Sequence, residues 1–553
     1  MQHDAPVTIF GPDFPFAYDD WITHPAGIGT IPDDALGTEV AIIGGGMAGM
    51  VAAYELMKVG LRPVVYEPGR IGGRLRSEHF VPGEPEVAEL GGMRFPISST
   101  SFFHYVNALG LRASPFPNPL TEASGSTVID LGGETLYAES LDDLPPIYRE
   151  IATAWDDALE RIAGFSTLQD AIRNRDVAAL KALWNQLVLV WDDRSFYDFL
   201  ATSDEFGSLS FRHRELFGQV GFGTGGWDSD FANSMLEILR VVVTNCDTDQ
   251  FLIIGGAEQV PRGLWSDTPS KIRHWPVGTS LSSLHSGAPR AGVSAIRRLG
   301  PDRIEVVDKW GDVKVFGAVV ATCQAWLLST EIDCDETLFS QDLWMALDRT
   351  RYMQSSKTFV MVDRPFWKDR SPDTGHETMS MTLTDRLTRG TYLFDNGPDR
   401  PGVICLSYTW MSDALKVLPH PVERRVQLAL SALRKIYPDV DIESHIVGRP
   451  ITVSWEDDPN FLGAFKGALP GHYRYNTRMY GHFHGQQNLP DAERGIFIAG
   501  DDVSFMPAWV EGAVQTALNA VWGVIAHVGG SSHPDNPGPG DVYAELGPID
   551  VGE

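Results

Sequence analysis

The chain has 553 residues, enough to bury a large core and to form two or more domains. Acidic residues outnumber basic ones 73 to 44, and the formal charge of −29 argues against a nucleic acid or an anionic membrane as partner, because both require clustered positive charge. The 4 cysteines are widely spaced without a C-x-x-C pair, so the sequence predicts no disulfide framework and no metal site. Without a signal-peptide pattern or an apolar run of membrane-spanning length, we expect a cytoplasmic protein.

The first structured unit follows an arm, residues 1–36, that is rich in proline, glycine and aromatic residues. The sequence EVAIIGGGMAGMVAAYELMKVGLRPVVYE then predicts a buried strand, a helix and a second strand, with glycines in G-x-G-x-x-G spacing at the first turn. Gly44 permits the tight turn, Gly46 lets the backbone approach a pyrophosphate, and Gly49 lets the helix pack on the strand. Glycines in this spacing also mark ordinary turns, but strand, helix, strand and terminal acid together predict a dinucleotide-binding unit.

The second strand of this unit ends at Glu67, which is placed to accept hydrogen bonds from ribose hydroxyls. An acid at this position favours a free 2′-hydroxyl, and therefore FAD or NAD rather than NADP. At the helix N-terminus, the backbone around Met47 and Ala48 offers free N–H groups and the positive end of the helix dipole to phosphate groups.

Two arginine-bearing motifs come next and are candidates for binding anions. The loop PGRIGGRLRS holds Arg74 and Arg76, whose guanidinium groups could reach a pyrophosphate; the alternative is a solvated basic loop. In the motif ELGGMRFP, Arg94 is the first candidate for binding a substrate carboxylate, because a guanidinium binds this group bidentately. The alternative is that Arg94 contacts the cofactor or a buried acid.

The middle of the chain predicts a β-hairpin around residues 126–138 and helices from about residue 145 to residue 245. Asp230 lies in the glycine-rich segment GGWDSDFANSM, where a carboxylate is usually a helix N-cap. Asp228 competes with Asp230 both for this role and for a role in the site. On the residues alone, Cys246 is a small, buried thiol that follows the last helix of this stretch.

Several candidate site residues lie in the second half of the chain. Lys357 occurs in a strand-like run, where it either serves a site or extends its charged end to solvent. Trp410, Phe465 and Trp509 are either core residues or the walls of a pocket. Near the C-terminus, the strand pattern GIFIAGDD ends in a glycine-acid turn, and the helix after it has small residues suited to packing against a cofactor.

Together these blocks resemble the flavin-dependent amine oxidase superfamily, which includes L-amino acid oxidases and monoamine oxidases. In that family the first glycine motif binds ADP, the GGR loop the pyrophosphate and the C-terminal block the flavin, so the implied cofactor is FAD. The implied fold is α/β (α+β overall), with a Rossmann-like FAD-binding domain, a mixed-sheet substrate-binding domain and a helical subdomain. The implied cofactor-binding residues are Gly44, Gly46, Met47, Ala48, Gly49, Glu67, Gly73, Arg74, Gly92, Met93, Arg94, Val293, Gly500, Asp501, Trp509 and Val510.

The resemblance also implies a division of the chain into domains. The FAD-binding domain would be discontinuous, comprising residues 37–115, 250–325 and 485–528. The substrate-binding domain would comprise residues 116–249 and 326–484, including the helical subdomain at about 145–245, and the pocket would lie between the domains. Outside both lie the arm and residues 529–553, an acidic tail that we expect to be an extended surface arm.

Particular segments narrow the resemblance to the bacterial L-lysine 2-monooxygenase/oxidase family: TIFGPDFPF, GGMRFP, GTGGWDSD, SSKTF and GAFK. Tryptophan 2-monooxygenases are similar more loosely. The narrower resemblance implies that Arg94 holds the substrate carboxylate above the flavin, and that Lys357 holds a water at flavin N5 and assists the reaction with oxygen. It implies that Asp230 receives a distal ammonium. The remaining implied pocket residues are Cys246, Trp410, Phe465 and Trp509.

The predicted function is FAD-dependent oxidation of a free L-amino acid, foremost L-lysine, by O2. The products would be 5-aminopentanamide, CO2 and water, or the 2-oxo acid, NH3 and H2O2. The alternative enzyme is an L-amino acid oxidase with another side-chain preference. The alternative of another class is a flavin-binding protein without turnover, against which Arg94 and Lys357 argue. The expected partners are the amino acid and O2, with no nucleic acid, no membrane and no metal; family analogy implies a homodimer.

Overall fold

The structure, a computed structural model, describes residues 6–220, 232–490 and 493–552. Short segments rich in valine and isoleucine form strands, as their apolar patterns predict. The strands, in chain order, are β1 (Glu39–Ile43), β2 (Arg62–Tyr66), β3 (Ser77–His79), β4 (Val87–Glu89), β5 (Phe95–Pro96), β6 (Ala113–Pro115), β7 (Thr127–Leu131), β8 (Glu134–Ala138), β9 (Gln250–Ile253), β10 (Val293–Gly300), β11 (Arg303–Asp308), β12 (Val313–Phe316), β13 (Ala318–Ala321), β14 (Asp333–Cys334), β15 (Tyr352–Met353), β16 (Ser355–Val362), β17 (Met381–Thr384), β18 (Gly390–Phe394), β19 (Gly402–Trp410), β20 (Ile446–Ser454), β21 (Phe465–Lys466) and β22 (Ile496–Ile498).

Helices dominate the chain between residues 146 and 220, as predicted, and several begin at a polar cap. The side chains of Asp176, Ser195 and Ser234 accept hydrogen bonds from the first turns of the helices that follow them, which satisfies N–H groups without a partner inside the helix. In the described ranges no helix is long and apolar enough to cross a membrane. The helices are α1 (Tyr18–Thr23), α2 (Met47–Val59), α3 (Thr100–Ala108), α4 (Pro146–Ala163), α5 (Phe165–Arg173), α6 (Val177–Trp191), α7 (Phe196–Thr202), α8 (Asp204–Gly207), α9 (Phe211–Val220), α10 (Met235–Val243), α11 (Gln259–Ser266), α12 (Leu281–Leu284), α13 (Leu327–Thr330), α14 (Gln341–Asp348), α15 (Met411–Val417), α16 (Val422–Leu433), α17 (Ile442–His445), α18 (Tyr473–Gly485), α19 (Val510–His527) and α20 (Tyr543–Leu546).

A parallel sheet in the order β2-β1-β13-β22 carries the predicted dinucleotide unit. Val40 and Ile42 of β1 pack on one face with α2 and α19, whereas Ala41 and Ile43 pack on the other face with residues of β10 and β11. Because both faces are covered, the strands need uninterrupted apolar sequences. The sheet brings β22, from near the C-terminus, beside strands from the first and middle parts of the chain.

A second, larger sheet is mixed and shares no strand with the parallel one; its strand order is β20-β16-β19-β18-β17-β7-β8. Neighbouring strands in it are antiparallel except β7 and β17, which run parallel. The predicted hairpin is β7 and β8, joined by Gly132 and Gly133, both of which have a positive φ. Strand β16, second from one edge of this sheet, is buried along its whole length, and Lys357 is one of its residues.

The two ends of the chain pack against the same part of the molecule. In the N-terminal arm, the Tyr18 hydroxyl donates to Oδ1 of Asn519 in α19 at 2.6 Å. The tail differs from the predicted surface arm, because Asn536 is buried and donates to the carbonyl oxygens of Trp21 and Gly27. A side chain at Gly540 would collide with the Trp522 ring, so the tail lies flat against α19.

Candidate active site

The strand ends of the parallel sheet surround one end of a long cavity. Gly44 follows β1, Glu67 follows β2, Thr322 follows β13, and Gly500 lies just beyond β22; all line this first cavity. In open α/β sheets ligands bind beyond the carboxyl ends of the strands, and the predicted glycine turn lies at this place.

A different steric requirement explains why a glycine stands at each of the three positions of the turn. Gly44 has a φ of +114°, and a Cβ there would lie 2.6 Å from Oγ1 of Thr322. A Cβ on Gly49 would lie 2.0 Å from the Gly44 carbonyl oxygen, so this glycine lets α2 pack on the strand and does not line the cavity. At Gly46 the nearest atom to an added Cβ is the Gly73 Cα at 3.7 Å, so its free side faces the cavity.

Glu67 is held by the backbone around the glycine turn. Its Oε2 accepts a hydrogen bond from the Gly45 N–H at 2.7 Å, and its Oε1 accepts one from the Gly69 N–H at 2.7 Å. Burial raises the pKa of this carboxyl despite both hydrogen bonds. Each oxygen retains a lone pair that could accept from a ribose hydroxyl.

Of the two arginines predicted to reach a pyrophosphate, only Arg74 lines the cavity. Its Nη2 lies 2.5 Å from Oδ1 of Asp501, and its Nη1 donates to the Ala464 carbonyl oxygen at 3.1 Å. Arg76 instead contacts Glu78 and Asp458, both outside the cavity lining. The ion pair between Arg74 and Asp501 joins the GGR loop to the C-terminal block.

Arg94 lies where the first cavity meets a second one and lines both. Its guanidinium is 5.7 Å from the centre of the Phe116 ring, 6.0 Å from that of Tyr392 and 5.8 Å from that of Tyr408. Its Nη1 is buried and has no hydrogen-bond acceptor among the described residues. A buried charged donor without an acceptor is costly, so this atom indicates a site for an anionic ligand.

Lys357 is 2% exposed, so the prediction that it extends to solvent is excluded. Its Nζ donates to the carbonyl oxygens of Gly91, at 2.5 Å, and Glu89, at 3.1 Å, and lies 4.7 Å from the centre of the Tyr408 ring. Burial lowers its pKa to about 8. Lys357 lines the first cavity next to the GGMR turn and can exchange a proton near neutral pH.

The second cavity has aromatic walls and polar groups. Trp410 and Phe465 meet edge to face with ring centres 5.5 Å apart, and Trp509 also lines this cavity. These are the three aromatic residues predicted as pocket walls. The polar side chains that line the cavity, besides Arg94, are Asn233, Glu237, Arg240, Asp247, Gln250, Tyr408 and Lys466.

Most of the predicted residues that the structure describes line one of the two cavities, and two of the described ones, Gly49 and Cys246, do not. Gly49 lies behind the glycine turn, and Asp230 lies outside the described residues, as does Asp228. Cys246 was expected beside the pocket, but it is fully buried and packs with Ile9 and Met506 behind the wall. Predicted residues that line a cavity are Gly44, Gly46, Met47, Ala48, Glu67, Gly73, Arg74, Gly92, Met93, Arg94, Val293, Lys357, Trp410, Phe465, Gly500, Asp501, Trp509 and Val510.

Some cavity residues escaped the sequence analysis. Tyr408 lines both cavities and is two residues before Trp410 on β19, so the period of two along a strand could have identified it. Asp247 belongs to no motif, and Lys466 ends the GAFK segment without a role of its own in the sequence analysis; only the folded chain brings both to one cavity. Among the described residues no cluster of histidine, cysteine, aspartate and glutamate could hold a metal ion.

A parallel sheet with a glycine turn, a terminal acid and a long cavity at its strand ends defines a dinucleotide-binding protein of the Rossmann-like class. The donor set fits an anionic dinucleotide. The N-terminus of α2 and the N-terminus of α19, at Val510, both border the first cavity, and Gly46 leaves room for a close approach.

Comparison with known proteins identifies the family. The model of the flavin-containing amine oxidoreductases matches residues 47–525. The chain is 31% identical over 550 residues to a tryptophan 2-monooxygenase of Pseudomonas savastanoi, covering 92% of this chain and 93% of that protein. It is 24% identical over 494 residues to an L-amino-acid oxidase of Mus musculus, covering 87% of this chain and 70% of that protein. The chain therefore belongs to the flavin-containing amine oxidoreductases, and its cofactor is FAD, as predicted.

Solved structures agree in fold. Cyclohexylamine oxidase from Brevibacterium oxydans IH-35A has a TM-score of 0.63 at 17% identity, covering 89% of this chain and 99% of that one. A putrescine oxidase bound to putrescine has a TM-score of 0.65 at 17% identity, covering 88% of this chain and 99% of that one. The predicted fold class is thereby confirmed.

Proposed function

We propose that the chain oxidises the α-carbon of a free L-amino acid, with L-lysine as the principal substrate and O2 as the electron acceptor. One outcome converts L-lysine and O2 into 5-aminopentanamide, CO2 and water. The other converts L-lysine, O2 and water into the 2-oxo acid, NH3 and H2O2. FAD, when bound, would supply the redox chemistry, namely a hydride acceptor for the α-carbon and a route for the electrons to O2.

Arg94 is the observation that carries the proposal. Its buried Nη1 lacks an acceptor among the described residues, and it lies at the junction of the two cavities. A substrate carboxylate would supply two acceptor oxygens in the geometry that a guanidinium favours. The three rings around Arg94 limit access of water, so the carboxylate would meet little competition from solvent.

The first cavity is the proposed place of FAD. The glycine turn and the N-terminus of α2 would hold its phosphate groups, and Glu67 would accept from a ribose hydroxyl. The ion pair of Arg74 and Asp501 would close the other side of the cavity. The residues proposed to hold FAD are Gly44, Gly46, Met47, Ala48, Glu67, Gly73, Arg74, Gly92, Met93, Arg94, Val293, Gly500, Asp501, Trp509 and Val510, with Gly49 in a supporting position.

Lys357 is proposed to hold a water in the first cavity and to assist the reaction with O2. Its Nζ is fixed by the carbonyl oxygens of Glu89 and Gly91, which leaves one of its N–H groups for a water. Because burial lowers its pKa to about 8, Lys357 can give or take a proton at Nζ within the physiological range.

The second cavity would hold the substrate side chain and decide between the two outcomes. Trp410, Phe465 and Trp509 would keep water away from the imino acid that forms first. An imino acid that stays in this cavity would react with the peroxide formed from O2 and give the amide, CO2 and water, whereas one that leaves would be hydrolysed to the oxo acid and NH3. The balance is therefore a competition between retention and release.

Mass analysis of the products from a panel of L-amino acids tests the proposal. The holoenzyme should convert L-lysine to the amide, the oxo acid or both, and should lose its yellow colour when L-lysine is added without oxygen. If none of the amino acids bleaches the flavin anaerobically, the chain is a flavin protein without this activity and the proposal is wrong.

A different side-chain preference is the second candidate, and the aromatic walls favour it. An apolar or aromatic side chain would bury its surface against Trp410 and Phe465. The same panel separates the candidates, because a preference for phenylalanine, tryptophan or leucine over lysine would assign the site to such a substrate. The discontinuous domain division, the cytoplasmic location and the homodimer stay predictions.

A further inference from the structure

We infer that Asp247 binds the cationic end of the substrate side chain in the second cavity and so selects basic amino acids. The inference rests on the proposed function and adds a specificity residue to it. Asp247 follows α10 and lies close in sequence to β9, whose first residue, Gln250, lines the same cavity.

Glu237 and Asp247, the two carboxylates that line the second cavity in the described part of the chain, differ in their partners. Oε1 of Glu237 accepts from Nδ2 of Asn233 at 2.7 Å, and its Oε2 accepts from the Ala468 N–H at 2.6 Å, so this side chain is committed to the fold. Asp247 forms no ion pair with any described residue. The ranges outside the description contain no lysine or arginine.

The other cations that line the cavity are already engaged. Arg240 donates to Asp13 through Nε at 2.6 Å and through Nη2 at 3.0 Å. Lys466 donates to the Asp502 carbonyl oxygen at 2.6 Å. Among the described residues that line the cavity, one cation and one anion therefore remain to meet a ligand: Arg94, with its unpartnered Nη1, and Asp247. This pair complements a molecule with a carboxylate at one end and an ammonium at the other.

Local hydrogen bonds hold the segment that carries Asp247 in place. Nε2 of Gln250 donates to the Cys246 carbonyl oxygen at 2.6 Å, and the Cys246 N–H donates to the Val241 carbonyl oxygen at 2.9 Å. Burial raises the pKa of Asp247 to about 7, which is expected of a desolvated carboxyl without a cationic partner. A bound ammonium would supply that partner and restore the charged form.

The test compares L-lysine with L-norleucine, which has the same carbon chain without the terminal amine. We expect Asp247→Asn to lower kcat/KM for L-lysine by about 30-fold or more and to change kcat/KM for L-norleucine by less than about 3-fold. The matched control is Asp249→Asn, the same change at an exposed residue two positions away that lines neither cavity. An unchanged ratio of lysine to norleucine in Asp247→Asn overturns the inference.

A binding measurement keeps the inference testable without turnover. Neither 6-aminohexanoate nor hexanoate has an α-amine, and only the former has a distal ammonium. We expect the holoenzyme to bind 6-aminohexanoate at least about 10-fold more tightly than hexanoate, and Asp247→Asn and Asp247→Ser to abolish the difference. Retention of the difference in both variants, or its loss in Asp230→Asn alone, assigns the ammonium to another group.

These experiments separate the inference from the function on which it rests. If wild-type protein oxidises L-norleucine and L-lysine equally well, the amino-acid oxidase activity stands and the role of Asp247 is wrong. If no L-amino acid bleaches the flavin anaerobically, the proposed function itself fails. Activity of Asp247→Asn toward L-norleucine reports that the variant is folded and holds FAD.

Discussion

The ammonium group of Lys357 donates a hydrogen bond to the carbonyl oxygen of Gly91 at 2.5 Å. This contact ties β16, a fully buried strand of the mixed sheet, to the turn that carries Arg94. A side chain at Gly91 would lie 1.7 Å from the Arg74 carbonyl oxygen, so the same turn is packed directly on the GGR loop. Lys357, which we propose to act on O2, and Arg94, which we propose to bind the substrate carboxylate, are therefore connected through one tightly packed turn.

Replacing Lys357 with methionine should separate the two halves of the reaction. We expect Lys357→Met to slow reoxidation by O2 by roughly 10²-fold or more, because the proton donor is lost, while reduction by the amino acid changes by less than about 10-fold. Stopped-flow measurement of each half-reaction checks this. Equal slowing of both halves would mean that Lys357 only supports the GGMR turn.

The pH dependence of reoxidation supplies a second readout of Lys357. Burial lowers the pKa values of both Lys357 and Lys466 to about 8, so each is charged below pH 8 and neutral above it. A break near pH 8 in the reoxidation rate should disappear in Lys357→Met and persist in Lys466→Met. A break that persists in Lys357→Met and disappears in Lys466→Met would assign the proton to the second cavity instead.

Replacing Arg94 with lysine should weaken recognition of the carboxylate while keeping the positive charge. A lysine ammonium cannot bind a carboxylate bidentately, so we expect kcat/KM for the amino acid to fall by roughly 10²-fold or more. Oxidation of the matching amine without a carboxylate, cadaverine in the case of L-lysine, provides the control and should change little. An equal loss for both compounds would show that Arg94 acts on the cofactor or on folding.

Local sequence was sufficient for the parts of the site that depend on neighbours in the chain. Gly44 and Gly49 were predictable because one turn requires both, and Glu67 because it ends the second strand of the same unit. Lys357 was placed on a strand, but its complete burial follows from strands on either side that come from residues 402–410 and 446–454. Sequence patterns do not encode such long-range contacts.

Two other residues mark the limits of sequence reasoning. Cys246 is predicted to bind the substrate, and its thiol is buried in a cluster with Ile9 and Met506, against which Trp509 of the cavity wall packs. A small displacement of the Cys246 side chain would decide whether it contacts the substrate or only supports the cavity wall. The residue type alone does not distinguish these two positions. Asp247, next in sequence, does not stand out in the sequence. It becomes a candidate only because the neighbouring cations Arg240 and Lys466 already bind other groups of the fold.

Glu511 of α19 caps the N-terminus of α3, which lies about 410 residues earlier in the chain, and this contact leads to a prediction about stability. Its Oε2 accepts from the Phe102 N–H at 2.8 Å and its Oε1 from the Ser101 N–H at 3.2 Å, in the first turn of α3. These contacts replace a local cap, because Ser99 makes no side-chain hydrogen bond to this helix. Burial raises the pKa of Glu511 to about 7.

Because the pKa of Glu511 is higher in the folded state than in the unfolded chain, the folded protein binds more protons between about pH 4.5 and pH 7. Its contribution to stability is therefore present at low pH and is lost as the pH rises through about 7. Relative to wild type, Glu511→Gln should become more stable by about 1–3 kcal/mol between pH 5 and pH 8. Urea unfolding at both pH values measures this, with Glu122→Gln on the surface as control; a constant difference contradicts it.

The ion pair of Asp13 and Arg240 links the N-terminal arm to the wall of the second cavity. Both side chains are buried, at 2% and 3% exposure, and Nε1 of Trp184 also donates to Oδ1 of Asp13 at 2.8 Å. Asp13→Asn would leave the charge of Arg240 without compensation, at a cost of about 3–5 kcal/mol in the free energy of unfolding. The double variant Asp13→Asn/Arg240→Met should recover most of this loss, because neither charge of the pair remains.

The same pair should also affect specificity, since Arg240 lines the cavity that we propose for the basic side chain. An uncompensated Arg240 would repel a distal ammonium, so Asp13→Asn should raise KM for L-lysine more than KM for L-norleucine. In the double variant the ratio should return toward that of wild type. Urea unfolding and steady-state kinetics on the four proteins of this cycle measure both effects, and additive losses in the cycle would mean that Asp13 stabilises the arm independently of Arg240.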